Sequence, residues 1–228
     1  KTLSKGIETN LGDKAVKMSG GQKQRLALAR IFYNNFNFVV LDEATNALEE
    51  NLERKIFDNI YDKFDLIVAN LPYAISSAWL ESVLNTGRLP HRMVLMMQKE
   101  AVERIWADSG TKEYHALSIF ISNAYEFTEK HSVSRQCFYP APAVDSMLIR
   151  MDLKNDAFLF PQQVRNLIRK IFTQRRKQLG SLAKKEDSSI GKIIFEWLES
   201  IDQPYNSRPE QIRAEQWKRL GELFDDPC

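Results

Sequence analysis

The chain has only two cysteines in 228 residues, Cys137 and Cys228, far apart and without metal-ligand spacing around either. Neither a disulfide framework nor a structural metal is expected, and both thiols are read as free. No G-x-G and no G-x-x-x-x-G-K-[ST] string occurs, so the two glycine loops that cradle a dinucleotide or a nucleoside triphosphate are missing. Apolar runs are short: Met93 to Met97 and Phe38 to Leu41 fall far below the roughly 20 residues that span a bilayer. No charged-then-apolar leader opens the chain, and a cytoplasmic location is expected. Lys1 begins within a polar stretch, so the sequence is read as a piece of something longer. The three histidines, His91, His115 and His131, form no pair at catalytic or metal spacing and are expected at the surface. With 43% hydrophobic and 27% charged residues, disorder, collagen and low complexity are excluded.

What is present begins with a helix that Ser19 can cap, running to about Tyr33 with Leu26, Ala29, Ile31 and Phe32 toward a core. Phe38 to Leu41 reads as a strand covered on both faces, ending in the acidic pair Asp42 and Glu43. A second helix, about Leu48 to Ile60, carries Leu52, Ile56 and Phe57 at helical spacing. From Phe64 the pattern restarts: a strand at Asp65 to Ala69, a helix from about Ile75 to Leu84, and a strand at Met93 to Gln98. A helix at Lys99 to Trp106 and another around Ala116 to Tyr125 follow, with later strands near Glu126 to Val133 and Asp145 to Met151. Beyond Pro161 the reading is helical, with Pro161 and Pro209 in first-turn positions. Phe160, the methionines of Met93 to Met97 and the four tryptophans are assigned to the core.

Residues 161–185 carry eight Lys/Arg and no Asp/Glu, which marks a polyanion contact. On a helix from Pro161, Val164, Leu167, Ile168, Ile171 and Leu179 gather on one side, while Arg165, Arg169 and Arg176 line an adjacent one. A stripe of this kind suits RNA, which proteins recognise largely through phosphates and shape. A solvated charged face is the ordinary alternative.

Two ordered sets of motifs meet near Tyr61 to Phe64. The first is Met18 Ser19 Gly20 Gly21 Gln22 with Lys23, Gln24 and Arg25, then Phe38 Val39 Val40 Leu41 Asp42 Glu43 Ala44 Thr45. Glycines at a helix start turn backbone N–H groups toward a phosphate, and an Asp after a buried strand can hold a magnesium shell. Residues 1 to about 60 resemble the ABC-type ATPases over this set. The resemblance implies that Ser19, Gly20, Gly21 and Gln22 face nucleotide, that Asp42 holds magnesium and that Glu43 polarises water. Without the phosphate loop, ATP and magnesium are not expected to be held. Taken singly, each element is also a capped helix or a strand end with solvated acids.

The second set opens with Asn70 Leu71 Pro72 Tyr73 Ala74 Ile75 Ser76 Ser77 and continues with Gln98 Lys99 Glu100 and with Tyr114 His115 Ala116 Leu117 Ser118. It ends with the proline loop Phe138 to Ser146, Arg175 Arg176 Lys177 and Arg208 Pro209 Glu210. Residues from about 64 to 220 resemble the ribosomal RNA adenine dimethyltransferases over these motifs. The resemblance implies a partial Rossmann-like sheet, mostly parallel and doubly wound, with a C-terminal helical domain and the ATPase-like helix-strand-helix segment in front. It implies methyl transfer from S-adenosylmethionine to an adenine of small-subunit ribosomal RNA, with Asn70, Leu71, Pro72 and Tyr73 at the reaction centre and Asn70 also at the edge of the donor. Asn70 and the Leu71 carbonyl can accept both hydrogens of the adenine amine and free its lone pair, while Tyr73 offers a stacking ring. Arg165, Arg169, Arg175, Arg176 and Lys177 are the expected RNA contacts. His115 stands where the family usually has Gly, and Ala143 where it usually has Lys.

The organisation expected is 1–61 as the ATPase-like fragment, 62–153 as the second half of a methyltransferase domain and 154–228 as a helical RNA-binding domain. The chain reads as a join of two partial genes at about Asp58 to Phe64, each family contributing the half that lacks its cofactor loop. Three readings follow: a dimethyltransferase impaired by the missing loop, with a second chain as a source of the absent half; an ATPase fragment; and a non-catalytic RNA-binding remnant. Poor stability is expected of a strand placed in a sheet evolved for other neighbours.

Overall fold

In a computed structural model of the chain, the described residues are Ser19, Gln22, Lys23, Leu26, Ala27, Ala29 and residues 36–42, 64–71 and 75–225. The strands are β1 (Phe38–Asp42), β2 (Leu66–Asn70), β3 (Arg92–Gln98), β4 (Tyr125–Val133) and β5 (Ser146–Leu153). The helices are α1 (Ser76–Asn85), α2 (Lys99–Ile105), α3 (Ala116–Ala124), α4 (Gln162–Phe172), α5 (Leu179–Ala183), α6 (Ser188–Ser200) and α7 (Ala214–Asp225). Single 3-10 turns at Arg135–Cys137 and Pro209–Gln211 complete the described elements. No described helix is long and apolar enough to cross a membrane.

The five strands form one sheet in the order β1-β2-β3-β5-β4. β1, β2 and β3 run parallel, whereas β5 is antiparallel to both β3 and β4. Four of the five strands therefore run one way and β5 alone runs the other, so the sheet is mostly parallel with one antiparallel strand. The reason is local: β4 and β5 are joined by residues 134–145 with no crossover helix, and parallel neighbours require one. Alternate residues Ile67, Ala69, Met93, Leu95, Met97, Ile149 and Met151 point to one face and are buried. Each large one stabilises the fold by about 1.5–3 kcal/mol.

β1 departs from its sequence reading. Val39 and Leu41 are buried, but Phe38 is 56% and Val40 62% exposed, so only one face of this strand is covered. Its neighbour is nonetheless ordered: five residue pairs from Phe38↔Leu66 to Asp42↔Asn70 are in parallel register. Of the first helix, Gln22, Lys23, Leu26, Ala27 and Ala29 are helical. Leu26 is half-buried as expected, whereas Ala29 is exposed. The helix assigned to Leu48 to Ile60 lies outside the described residues.

α1 forms because Trp79, Leu80, Val83 and Leu84 recur at helical spacing, and it ends where the Thr86 hydroxyl donates to the Val83 carbonyl. Gly87 follows at φ +79, a conformation that only glycine adopts freely. α4 buries Val164, Leu167, Ile168 and Ile171 but stops at Phe172; Leu179, expected on the same helix, belongs to α5. α6 starts at an Asp187 cap whose carboxylate accepts from the Ile190 N–H.

The helical end is continuous with the sheet layer. One hydrophobic cluster runs from Val39 to Leu220. Between the two parts, Tyr114 donates its buried hydroxyl to the Ile212 carbonyl at 2.9 Å, and Asn123 donates to the Ala214 carbonyl at 2.8 Å. Trp197 and Trp217 lie with ring centroids 4.6 Å apart, both fully buried. Trp106 differs from the other tryptophans: it stacks on Phe127 at 4.5 Å, with the Lys130 ammonium 5.0 Å over its ring.

Candidate functional site

In an open α/β sheet, ligands bind beyond the C-terminal ends of the parallel strands. Here those ends present Asp42 from β1, Asn70 from β2 and Gln98 from β3. Asp42 and Asn70 are direct register partners, and the Asn70 amide nitrogen donates to the Asp42 carboxylate at 3.1 Å. Leu71 continues the strand, its N–H donating to the Met96 carbonyl at 3.2 Å, and its side chain is buried. Pro72, Tyr73 and Glu43 lie outside the described residues.

The proline loop is tied to the same edge. β5 begins with Ser146 paired to Gln98, which brings residues 138–145 to the strand ends. Asp145 holds the loop from both sides: its carbonyl accepts from the Lys99 N–H at 3.0 Å and its carboxylate from the Arg135 N–H at 2.9 Å. Arg135 also donates to the Ala143 carbonyl. Tyr139 is fully exposed in this loop.

The ATPase-like residues are only partly described. Ser19 and Gln22 form a reciprocal cap, the Gln22 N–H donating to the Ser19 hydroxyl at 3.3 Å and the Ser19 N–H to the Gln22 amide oxygen at 2.9 Å. Gly20 and Gly21 lie outside the described residues. No group of three or more His, Cys, Asp or Glu able to hold a metal occurs among the described residues. Cys137 is free and exposed; Cys228 lies outside the described residues.

The basic run is reorganised by folding. Arg165 is turned inward, donating to the Leu84 carbonyl and to Gln162, and burial followed by the nearby Arg169 charge lowers its pKa. Arg169 pairs with Glu81 at 3.3 Å and lies over the Phe120 ring. Lys170 pairs with Glu186 at 2.7 Å. Arg175 pairs with Glu210 at 2.7 Å and donates to the Lys112 and Thr111 carbonyls. Acids outside the run thus neutralise three of its eight cations. Arg176, Lys177, Lys184 and Lys185 remain exposed with no acidic partner among the described residues. Lys185 lowers the pKa of Lys177, first through a side-chain hydrogen bond and then through its like charge. Two motifs read separately, Arg175 with its basic neighbours and Arg208 Pro209 Glu210, are therefore one junction. Opposite charge at Arg175 and Glu210 was the available signal.

His115 is not a surface residue. It is half-buried at the start of α3, with Nδ1 2.8 Å from the Ser118 hydroxyl, and burial, then Arg104 and Arg175, lowers its pKa to about 4. His91 and His131 are exposed as expected.

The chemistry at the strand ends is a carboxylate, an amide and nearby backbone carbonyls. Among the described residues these groups do not make a cradle for S-adenosylmethionine. The residues after Asp42 are Glu43, Ala44 and Thr45, and the first glycine beyond β1 is Gly87, so the close backbone approach that glycine permits is not supplied there.

Comparison with known proteins gives two family matches: the ABC transporter family over residues 2–46, and Ribosomal RNA adenine dimethylase over residues 30–219. Ribosomal RNA small subunit methyltransferase A of Opitutus terrae is 44% identical over 154 residues, covering 68% of this chain and 55% of that protein. The protein of the same name from Geobacillus sp. is 35% identical over 204 residues, covering 83% and 66%. The chain thus spans 55 to 66% of the length of these relatives. A dimethyladenosine transferase from Plasmodium falciparum has a similar fold, with a TM-score of 0.65 at 22% identity over 88% of this chain and 95% of that one. The 23S rRNA methyltransferase ErmE gives a TM-score of 0.50 at 19% identity, over 89% and 98%. The α/β sheet with its helical end is the fold these structures share, and with the dimethylase match spanning 190 residues, 30–219, the chain belongs to the ribosomal RNA adenine dimethylase family.

Proposed function

We propose that the chain carries the target-base and RNA-binding parts of an enzyme that dimethylates an adenine of small-subunit ribosomal RNA. The observation that supports this reading is the convergence of Asn70, Leu71 and the proline loop on one edge of the sheet in a chain of this family. Adenine's exocyclic amine is a weak nucleophile because its lone pair is delocalised into the ring. Accepting both of its hydrogens favours the pyramidal form in which the pair is available. In this reading the Asn70 side-chain oxygen and the Leu71 carbonyl are the acceptors, Pro72 stiffens the turn, and Tyr73 stacks on the extruded base. The methyl donor of this reaction is S-adenosylmethionine, which supplies the methyl group. The sequence after β1 has no glycine before Gly87, so binding of the donor needs groups beyond those described at the strand ends.

Within the same reading, residues 1–61 are the ATPase-like fragment joined in front, 62–153 the catalytic half and 154–228 the RNA-binding part. Ribosomal RNA phosphates are met by Arg176 and Lys177, with Lys184 and Lys185 beside them, because these exposed cations have no acidic partner among the described residues. Arg165, Arg169 and Arg175 support the surface from within. A second reading, RNA binding without transfer, is favoured by the missing glycine turn after β1.

The test is calorimetric titration of the 228-residue chain with S-adenosylmethionine, with ATP and magnesium in parallel, followed by methyl transfer to under-methylated small ribosomal subunits. Saturable binding of S-adenosylmethionine with transfer supports the enzyme reading. Absence of both, with salt-dependent RNA binding retained, selects the second.

A further inference from the structure

We propose that Asp42, contributed by the ATPase-like strand, is a positioning residue for Asn70. The inference rests on the reading of Asn70 as an acceptor for the adenine amine, and it assigns Asp42 a task unrelated to nucleotide or magnesium. β1 and β2 are parallel and in register, so Asp42 and Asn70 stand side by side on the same face of the sheet at its C-terminal edge. The Asn70 nitrogen lies 3.1 Å from a carboxylate oxygen of Asp42.

The chemistry fixes which way the amide faces. A side-chain amide has a donating and an accepting end, whereas an ionised carboxylate only accepts. The donating end therefore turns toward Asp42, and the carbonyl oxygen turns away from it. The terminal torsion of asparagine is broad and roughly two-fold, so an unrestrained amide samples both orientations. In the reversed one, its NH2 would meet the NH2 of the target base, two donors facing each other. Asp42 removes that orientation, because carbonyl oxygen against carboxylate oxygen is repulsive. The neighbouring strand thus selects the acceptor-outward form before any base arrives, which is preorganisation of the kind that lowers a barrier.

The experiment uses the whole chain and its Asp42→Leu and Asp42→Asn variants. Leu removes the acceptor; Asn keeps an oxygen that can accept from Asn70. Methyl transfer to under-methylated small subunits is expected to lose about tenfold in kcat in Asp42→Leu, with KM for the subunit unchanged, and to recover within about threefold of wild type in Asp42→Asn. Equal kcat in wild type and Asp42→Leu overturns the proposal, as does an Asp42→Asn variant no better than Asp42→Leu. A second readout needs no activity: the side-chain amide resonances of Asn70, identified by their loss in Asn70→Asp. They are expected to move to the position of a free amide in Asp42→Leu and to stay dispersed in Asp42→Asn, with the Leu71 backbone signal unmoved in both. If wild type transfers no methyl, the enzyme reading fails, and unchanged Asn70 amide signals in Asp42→Leu overturn the positioning role separately.

Discussion

The Ser118 hydroxyl has one proton and three neighbours. It donates to the Arg104 carbonyl at 2.6 Å and accepts from the His115 backbone N–H at 3.1 Å, so the contact at His115 Nδ1 must be a second donation to it. The hydrogen bonds thus put a proton on Nδ1, and a pKa lowered to about 4, by burial first, keeps the ring neutral near pH 7. The pH consequence has a definite sign. Between an ordinary histidine pKa of about 6.5 and the folded value, the unfolded chain binds a proton that the folded chain does not. Stability is therefore lost as pH falls through this window. The ring is half-exposed, and solvent screening reduces the effect to about 1 kcal/mol between pH 7 and pH 5. Urea unfolding at the two pH values should show wild type losing that much more than His115→Asn, which has no group that titrates in this range. A gap between the two proteins that does not change with pH would show that the ring titrates normally.

Arg175 and Arg176 are adjacent in sequence and opposite in use. Arg175 joins the turn after α4 to the Pro209–Gln211 turn and to the loop before α3, where the Gly110 N–H also reaches the Glu210 carbonyl. Replacing it by Ala strands Glu210 and two carbonyls and should cost about 2–3 kcal/mol in chemical unfolding. Arg175→Lys should recover little, since an ammonium cannot reproduce the forked contact. Arg176→Ala should change stability by less than about 0.5 kcal/mol, yet lower the slope of log affinity against log salt for ribosomal RNA by about 1. The reverse pattern would assign the roles the other way round. This pair marks where sequence reading stops. A run of eight cations is visible in a linear count, but of the acids that neutralise three of them Glu186 lies just past its end and Glu81 and Glu210 come from elsewhere in the fold. Elements with a continuous apolar signal were legible: β3 was expected at Met93 to Gln98 and runs Arg92–Gln98, and α1 was expected at Ile75 to Leu84 and runs Ser76–Asn85. The reversed direction of β5 was not, because burial alone does not distinguish a parallel from an antiparallel neighbour. The Asn70 motif was legible as a local string. Its partner Asp42, 28 residues away, carried a signal that pointed to different chemistry.

Across the whole molecule, the question is whether β1 belongs to the sheet or merely lies against it. Its five register pairs and the burial of Val39 and Leu41 in the cluster that reaches Leu220 predict that it unfolds together with the rest of the sheet. Leu41→Ala should cost about 2–4 kcal/mol and shift a single calorimetric transition to lower temperature. An unmoved main transition, or a separate early one, would mean that the strand is an appendage and would restore the expectation of a poorly stable join. The uncovered side of the same strand has a different outcome: Phe38→Lys with Val40→Thr should raise solubility on concentration without lowering the transition, because exposed apolar residues on an edge strand favour self-association. The packing of Trp197 on Trp217 bears on how such changes can be followed by light. Two indoles with centroids 4.6 Å apart and planes at 37° couple their electronic transitions, so their circular dichroism should form a couplet of paired positive and negative bands. That couplet depends on both rings being held together, and its disappearance would report the moment at which α6 and α7 part, independently of the strands.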